Sequence, residues 1–158
     1  MKKLIYLLFL LPLAMLASCH DDDDLPNVDI TVTFDNVVAN DQGVIYVVQG
    51  EELDVQSVTC VGLGGKNAAV TSVQYTWNGQ VLQWNPFAPY KIEIDTSYAR
   101  VGNHSLTLYM DVAQVDKTLA YSVISIPVVV VATADELPGG AAPGVVSQTY
   151  NVGQKDKK

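Results

Sequence analysis

Between residues 28 and 131, apolar side chains return at every second position in one short segment after another, and that period limits what the chain can become. Val28, Ile30, Val32 and Phe34 alternate with Asp29, Thr31 and Thr33. In the longest such run, His104, Leu106, Leu108, Met110 and Val112 alternate with Ser105, Thr107, Tyr109 and Asp111. Successive side chains of an extended backbone point to opposite faces, so the pattern predicts strands with one face buried and one in water. Further β-branched or alternating runs cover residues 44–48, 53–61, 73–77, 81–84, 90–95 and about 119–131. An Asn- and Asp-rich stretch at 35–43 and a glycine-rich one at 62–67 predict loops between them. Asn78-Gly79 predicts a type I′ hairpin turn, in which both central residues need positive φ. Pro127, inside the last run, predicts an edge position or a bulge, because proline has no N–H to give a ladder. No segment after residue 19 carries a convincing helical period.

Seven or eight short strands in about 105 residues predict an all-β fold, an immunoglobulin-like antiparallel β-sandwich over residues 28–132. A sandwich of this kind buries a large ring on a central strand, and Trp77 is the residue expected there. The stretch Val73-Gln-Tyr-Thr-Trp-Asn-Gly79, followed by Ala88-Pro-Tyr90, Asp95-Thr96 and Gly102-Asn-His-Ser-Leu106, resembles the bacterial Ig-like repeat family of surface proteins. The resemblance covers residues 73–106 and implies the fold. Members of such a family serve as spacers, adhesins and binding modules alike, so it implies no single function. The chain does not repeat the unit, unlike long adhesive arrays.

Residues 1–18 read as an export signal. Lys2 and Lys3 precede an apolar run from Leu4 to Leu16 that is too short to span a membrane, which takes about 20 residues. Leu16-Ala17-Ser18-Cys19 resembles the bacterial lipobox, which implies cleavage before Cys19 and acylation of that cysteine, with palmitate-like chains as the anchor. More than one acyl chain makes such anchoring stable, since each buried methylene contributes about 0.8 kcal/mol. Residues 19–27 form an acidic tether. Asp21, Asp22, Asp23 and Asp24 repel one another and stay hydrated, and the run resembles the surface-export signal of Bacteroidota lipoproteins. The expected location is therefore the outer membrane, lipid-anchored and facing the cell surface. After the domain, residues 133–158 are rich in Ala, Pro and Gly and end in lysines, which predicts a flexible tail. An alternative makes 145–152 an added edge strand.

Charge excludes one class of partner. Once Lys2 and Lys3 leave with the signal, seven basic residues face seventeen acidic ones, a net charge of −10. Nucleic-acid binding needs clustered cations to neutralise phosphates, so it is not expected. Cys60 would be the remaining unmodified thiol, which excludes a disulfide scaffold.

Catalytic groups are sparse, and the chain is not expected to be an enzyme. His104 lies on the apolar side of its strand, so it is expected to be a packed structural residue rather than a general base. Cys60 sits in an apolar strand, where a thiol behaves as a small hydrophobe. Glu51, Glu52, Asp54, Glu93 and Asp95 offer carboxylates, but nothing in the sequence sets a pair at a working separation. No metal ligand set and no cofactor motif stand out. Trp84 in Gln83-Trp84-Asn85-Pro86-Phe87 is the one candidate ligand contact: its ring suits a sugar face or a protein interface, with Gln83 and Asn85 as hydrogen-bonding neighbours. The competing expectation is that Trp84 and Phe87 cap the open end of the core. Two partner classes follow, beside the membrane that holds the lipid. The leading one is other envelope proteins, met in attachment or assembly; the alternative is a glycan, bound for a polysaccharide-uptake system.

Overall fold

The computed structural model describes residues 25–153. Within them the chain forms nine strands: β1 (Val28–Ala39), β2 (Ile45–Val48), β3 (Glu52–Gly62), β4 (Ala68–Trp77), β5 (Gln80–Asn85), β6 (Ile92–Asp95), β7 (Gly102–Gln114), β8 (Ala120–Val131) and β9 (Gly144–Val152). The sequence-predicted signal, Cys19 and Asp21 to Asp24 lie outside the described residues.

The ladder runs β5-β4-β7-β8-β2-β1-β3-β6, with β9 added beside β1. Strand β1 turns this ladder into a sandwich. Its first part pairs with β3 on one side and β9 on the other, while Val38 and Ala39 pair with β2. Register shifts after Thr33 and Phe34, with Asn36 at φ 59°, mark where β1 passes from one layer to the other. The layers are thus β9-β1-β3-β6 and β5-β4-β7-β8-β2, all antiparallel except the parallel β2–β8 pair. The expected Ig-like sandwich is what the chain adopts.

Alternation fills the space between the layers. Ile30, Phe34, Leu53, Tyr75, Leu106, Leu108, Met110 and Ile126 are fully buried. The buried large ring on β4 is Tyr75; Trp77 is half-buried at the rim of the core, stacked on His104 with ring centroids 4.9 Å apart. Trp77 was the expected core ring. Tyr75 takes that place because its hydroxyl has a partner in the interior, donating to the Tyr90 carbonyl at 2.6 Å. Burial raises the Tyr75 hydroxyl far above its ordinary pKa, with a smaller contribution from Tyr90.

Three other expectations change in detail. The predicted 35–43 loop is strand as far as Ala39, because Val37 and Val38 find buried positions. The turn proper is held by Asn40, whose Oδ1 accepts from the backbone N–H of Gln42 and Val44. The tail expected to be flexible contains β9, which runs antiparallel along β1 from Val37↔Gly144 to Val28↔Val152. Val146, Tyr150 and Val152 pack at the margin of the core, and Thr31–Thr149 and Thr33–Ser147 hydroxyl pairs join the two strands. Pro127 lies within β8, opposite Ser105 of β7 and one residue before pairing with β2 begins at Val128, so it is paired on one side only.

Candidate functional site

Trp84 sits on an edge strand with 60% of its surface exposed, and Phe87 beyond it is 80% exposed. Neither covers the core. Asn85, expected beside Trp84 as a ligand donor, is buried; it gives its amide to the Lys91 carbonyl at 2.7 Å and takes a hydrogen bond from Gln83. That pair of bonds holds the end of β5 in place, and Asn85, being buried, is turned away from any ligand.

The outward aim of Trp84 comes from a bulge. Asn78 and Gly79, at φ 50° and 83°, make the expected tight turn, and Trp77↔Gln80 and Thr76↔Val81 pair next to it. The following pair is Tyr75↔Gln83, so Leu82 has no opposite number. One extra residue reverses the alternation, and Val81 and Trp84 therefore both face outward although they are three positions apart.

Register then brings residues of four strands into rows on the outer face of this layer. Trp84 lies opposite Gln74, Gln74 opposite Tyr109, and Tyr109 opposite Val123. Their neighbours Val73, Tyr75, Leu108, Met110 and Ile124 point into the core. In the next row Ser72, Asp111 and Tyr121 are opposite one another. Tyr121 is 67% exposed, and its ring is nearly parallel to that of Tyr109, with centroids 6.0 Å apart and planes 21° apart. On the other side run Val81, Thr76, Thr107 and Ser125. Ser105 Oγ lies 2.9 Å from Ser125 Oγ. The three rows hold a single carboxylate, Asp111, which accepts from Ser72 Oγ at 2.8 Å, and no Lys or Arg. Thr76 is buried, and its hydroxyl has no hydrogen-bond partner. Sequence reasoning singled out Trp84 and missed Tyr109 and Tyr121, whose approach to it depends on strand register.

The remaining candidates fall elsewhere. His104 is held by Asn78 Nδ2 on Nδ1 at 2.8 Å, and its Nε2–H donates to the Arg100 carbonyl at 2.6 Å. Both ring nitrogens are engaged, as a structural histidine requires. Cys60 is half-buried and packs against the core, where burial and the nearby Asp29 raise its thiol pKa. Asp35, Asp54 and Glu93 stand opposite one another across β1, β3 and β6. Desolvation, then Glu93 and Asp35, raise the pKa of Asp54, and Lys91 opposes them. This row is in the other layer from the aromatic face. No group of three His, Cys, Asp or Glu that could hold a metal occurs among the described residues.

The chain is similar to the fibronectin(III)-like modules of Clostridium thermocellum CbhA, with 18% identity and a TM-score of 0.38 over 61% of this chain and 96% of that one. No family model matches, and neither does any curated protein. The fold and the outer face define the class: an all-β, Ig-like sandwich carrying exposed aromatic rings on its β5-β4-β7-β8 layer.

Proposed function

We propose that this chain is a non-catalytic protein held in the outer membrane by acyl chains on Cys19, with an Ig-like domain that attaches to other molecules of the cell surface. The observation that carries the reading is the outer face of β5-β4-β7-β8, where Trp84 and, beyond Gln74, the Tyr109–Tyr121 pair carry exposed aromatic surface with Asp111 as the one charged side chain in their rows. Exposed aromatic clusters of this kind are characteristic anchors of interfaces. The lipobox-like Leu16-Ala-Ser-Cys19 supports the anchor, and Asp21 to Asp24 support export to the outer surface. Assembly with other envelope proteins is one role that an Ig-like domain on a tether would serve. A glycan-binding accessory role has one specific observation in its favour, the alignment of Trp84, Gln74 and Tyr109 in one row.

Two measurements test this reading. Cys19→Ala is expected to remove fatty-acid labelling and release the protein from the membrane fraction; retention of both would overturn the anchor. Hydroxyl-radical footprinting is expected to find Trp84 and Tyr121 protected in intact envelopes relative to the purified protein. Equal reactivity in the two settings would overturn the attachment face.

A further inference from the structure

We infer that the outer face of β5-β4-β7-β8 is a binding platform for an uncharged, extended polysaccharide laid across the strands, with Trp84 and the Tyr109–Tyr121 pair as its stacking residues. The inference rests on the attachment reading above and names the ligand class.

Three observations select that class. Trp84 and Tyr109 are separated by one intervening strand, which sets their backbones about 10 Å apart. That is close to the length of two pyranose residues, so an extended glycan can place alternate sugars on the two rings. Gln74 lies between them with an amide that can both donate and accept, and Thr107 and Ser125 supply hydroxyls one row away. Rings interleaved with amide and hydroxyl groups suit a sugar, which has apolar C–H faces and a polar rim. The core of a lasting protein–protein interface is more apolar than this face, which offers Val81 and Val123 as its aliphatic residues.

Charge completes the selection. The rows contain Asp111 and no cation, so a uronate, sulfate or phosphate polymer meets repulsion with nothing to offset it. An uncharged chain meets none. The bulge at Leu82 fits the same purpose, because it turns Trp84 outward into line with Gln74 and Tyr109.

The test uses the full lipidated protein in a detergent without a sugar headgroup. Its tryptophan fluorescence is titrated with cellohexaose, xylohexaose, mannohexaose and maltohexaose, and with polygalacturonate and heparin as anionic controls. A saturable change with at least one neutral oligosaccharide is expected, together with none from the anionic polymers. Trp84→Ala should weaken that binding about tenfold or more, followed by calorimetry because the reporter is lost, and Tyr121→Ala should weaken it several-fold. His104→Gln, in a residue off the platform, should leave it unchanged. Absence of binding by every neutral oligosaccharide, or equal binding by wild type and Trp84→Ala, overturns the inference. If Trp84 and Tyr121 are nevertheless protected in intact envelopes, the attachment reading survives with a protein as partner. If they are not protected, both fall.

Discussion

Trp84 stands opposite Gln74 on the outer face because Leu82, two positions earlier, has no partner on β4. Deleting Leu82 takes out the unpaired residue and leaves Val81, Gln83 and Trp84 in plain alternation, so Trp84 is expected to keep its place opposite Gln74 on the outer face. Acrylamide quenching of tryptophan emission and the emission maximum should then stay as in the wild type. Weaker quenching with a blue shift would mean that the strand slips by one residue and turns the ring toward the core.

Asn78 joins the hairpin to β7 three ways. It gives its amide to His104, accepts from the backbone N–H of Ser105 at 3.0 Å, and donates its own N–H to the Ser105 carbonyl at 2.9 Å. Asn78→Gly keeps the positive φ of the turn while removing the side-chain bonds, so its cost isolates them. About 1–3 kcal/mol of stability is expected to go, read as a lower denaturant midpoint. Trp84 lies outside this linkage and should keep its exposure.

Thr76 offers a gain. Its hydroxyl is buried without a partner, and valine has nearly the same shape. Thr76→Val removes the unmet polar group and is expected to stabilise the domain by about 1 kcal/mol. A lower melting temperature in the variant would mean that the hydroxyl has a partner such as water in solution.

Asp54 makes stability depend on pH in an unusual direction. Burial and the carboxylates of Glu93 and Asp35 raise its folded-state pKa above the unfolded value. A carboxyl shifted this way favours the folded state fully below its unfolded pKa, and that contribution is lost as pH rises through the folded pKa. Asp54→Asn is therefore expected to stabilise the domain at pH 7 by the ~0.2–1 kcal/mol of a cross-strand pair, read as a higher melting temperature, and to lose the advantage near pH 3. An advantage equal at both pH values would point to packing.

Strand β9 is the clearest dependence of one terminus on the other. Ending the chain after residue 143 uncovers one side of β1 and removes Val146, Tyr150 and Val152 from the core margin. Stability should fall by on the order of 3 kcal/mol, and the bare edge should promote self-association, seen as a larger species in sedimentation. A monomer of unchanged stability would show that β1 needs no cover.

Much of this architecture is legible in the sequence, because period-two alternation is a local signal and Asn78-Gly79 states its own turn. The residues that carried the family resemblance also turn out to be legible physics. Tyr90 sends its buried hydroxyl to the Val70 carbonyl. Thr96, fully buried, accepts from Gly50 N–H and donates toward the Val48 and Glu51 carbonyls. These side chains pin turns to sheets and say nothing of a ligand. The aromatic platform was hidden for the converse reason. Tyr109 and Tyr121 are polar-face residues in their own strands, and only a register that includes the Leu82 bulge brings them into line with Trp84. β9 was obscured by its own composition, since Ser147, Thr149 and Asn151 hide a weak apolar alternation whose partner, β1, lies more than a hundred residues away.

Because β1 is clasped by β3 on one side and β9 on the other, it also has a mechanical meaning. A pull on the chain ahead of Val28 runs along the axis of β1. The hydrogen bonds to both neighbours lie across that axis and share the load at once, instead of opening one after another from an end. A sandwich built this way resists a pull on its N-terminal side in shear, and the strand that doubles this resistance is the last one in the sandwich to be synthesised.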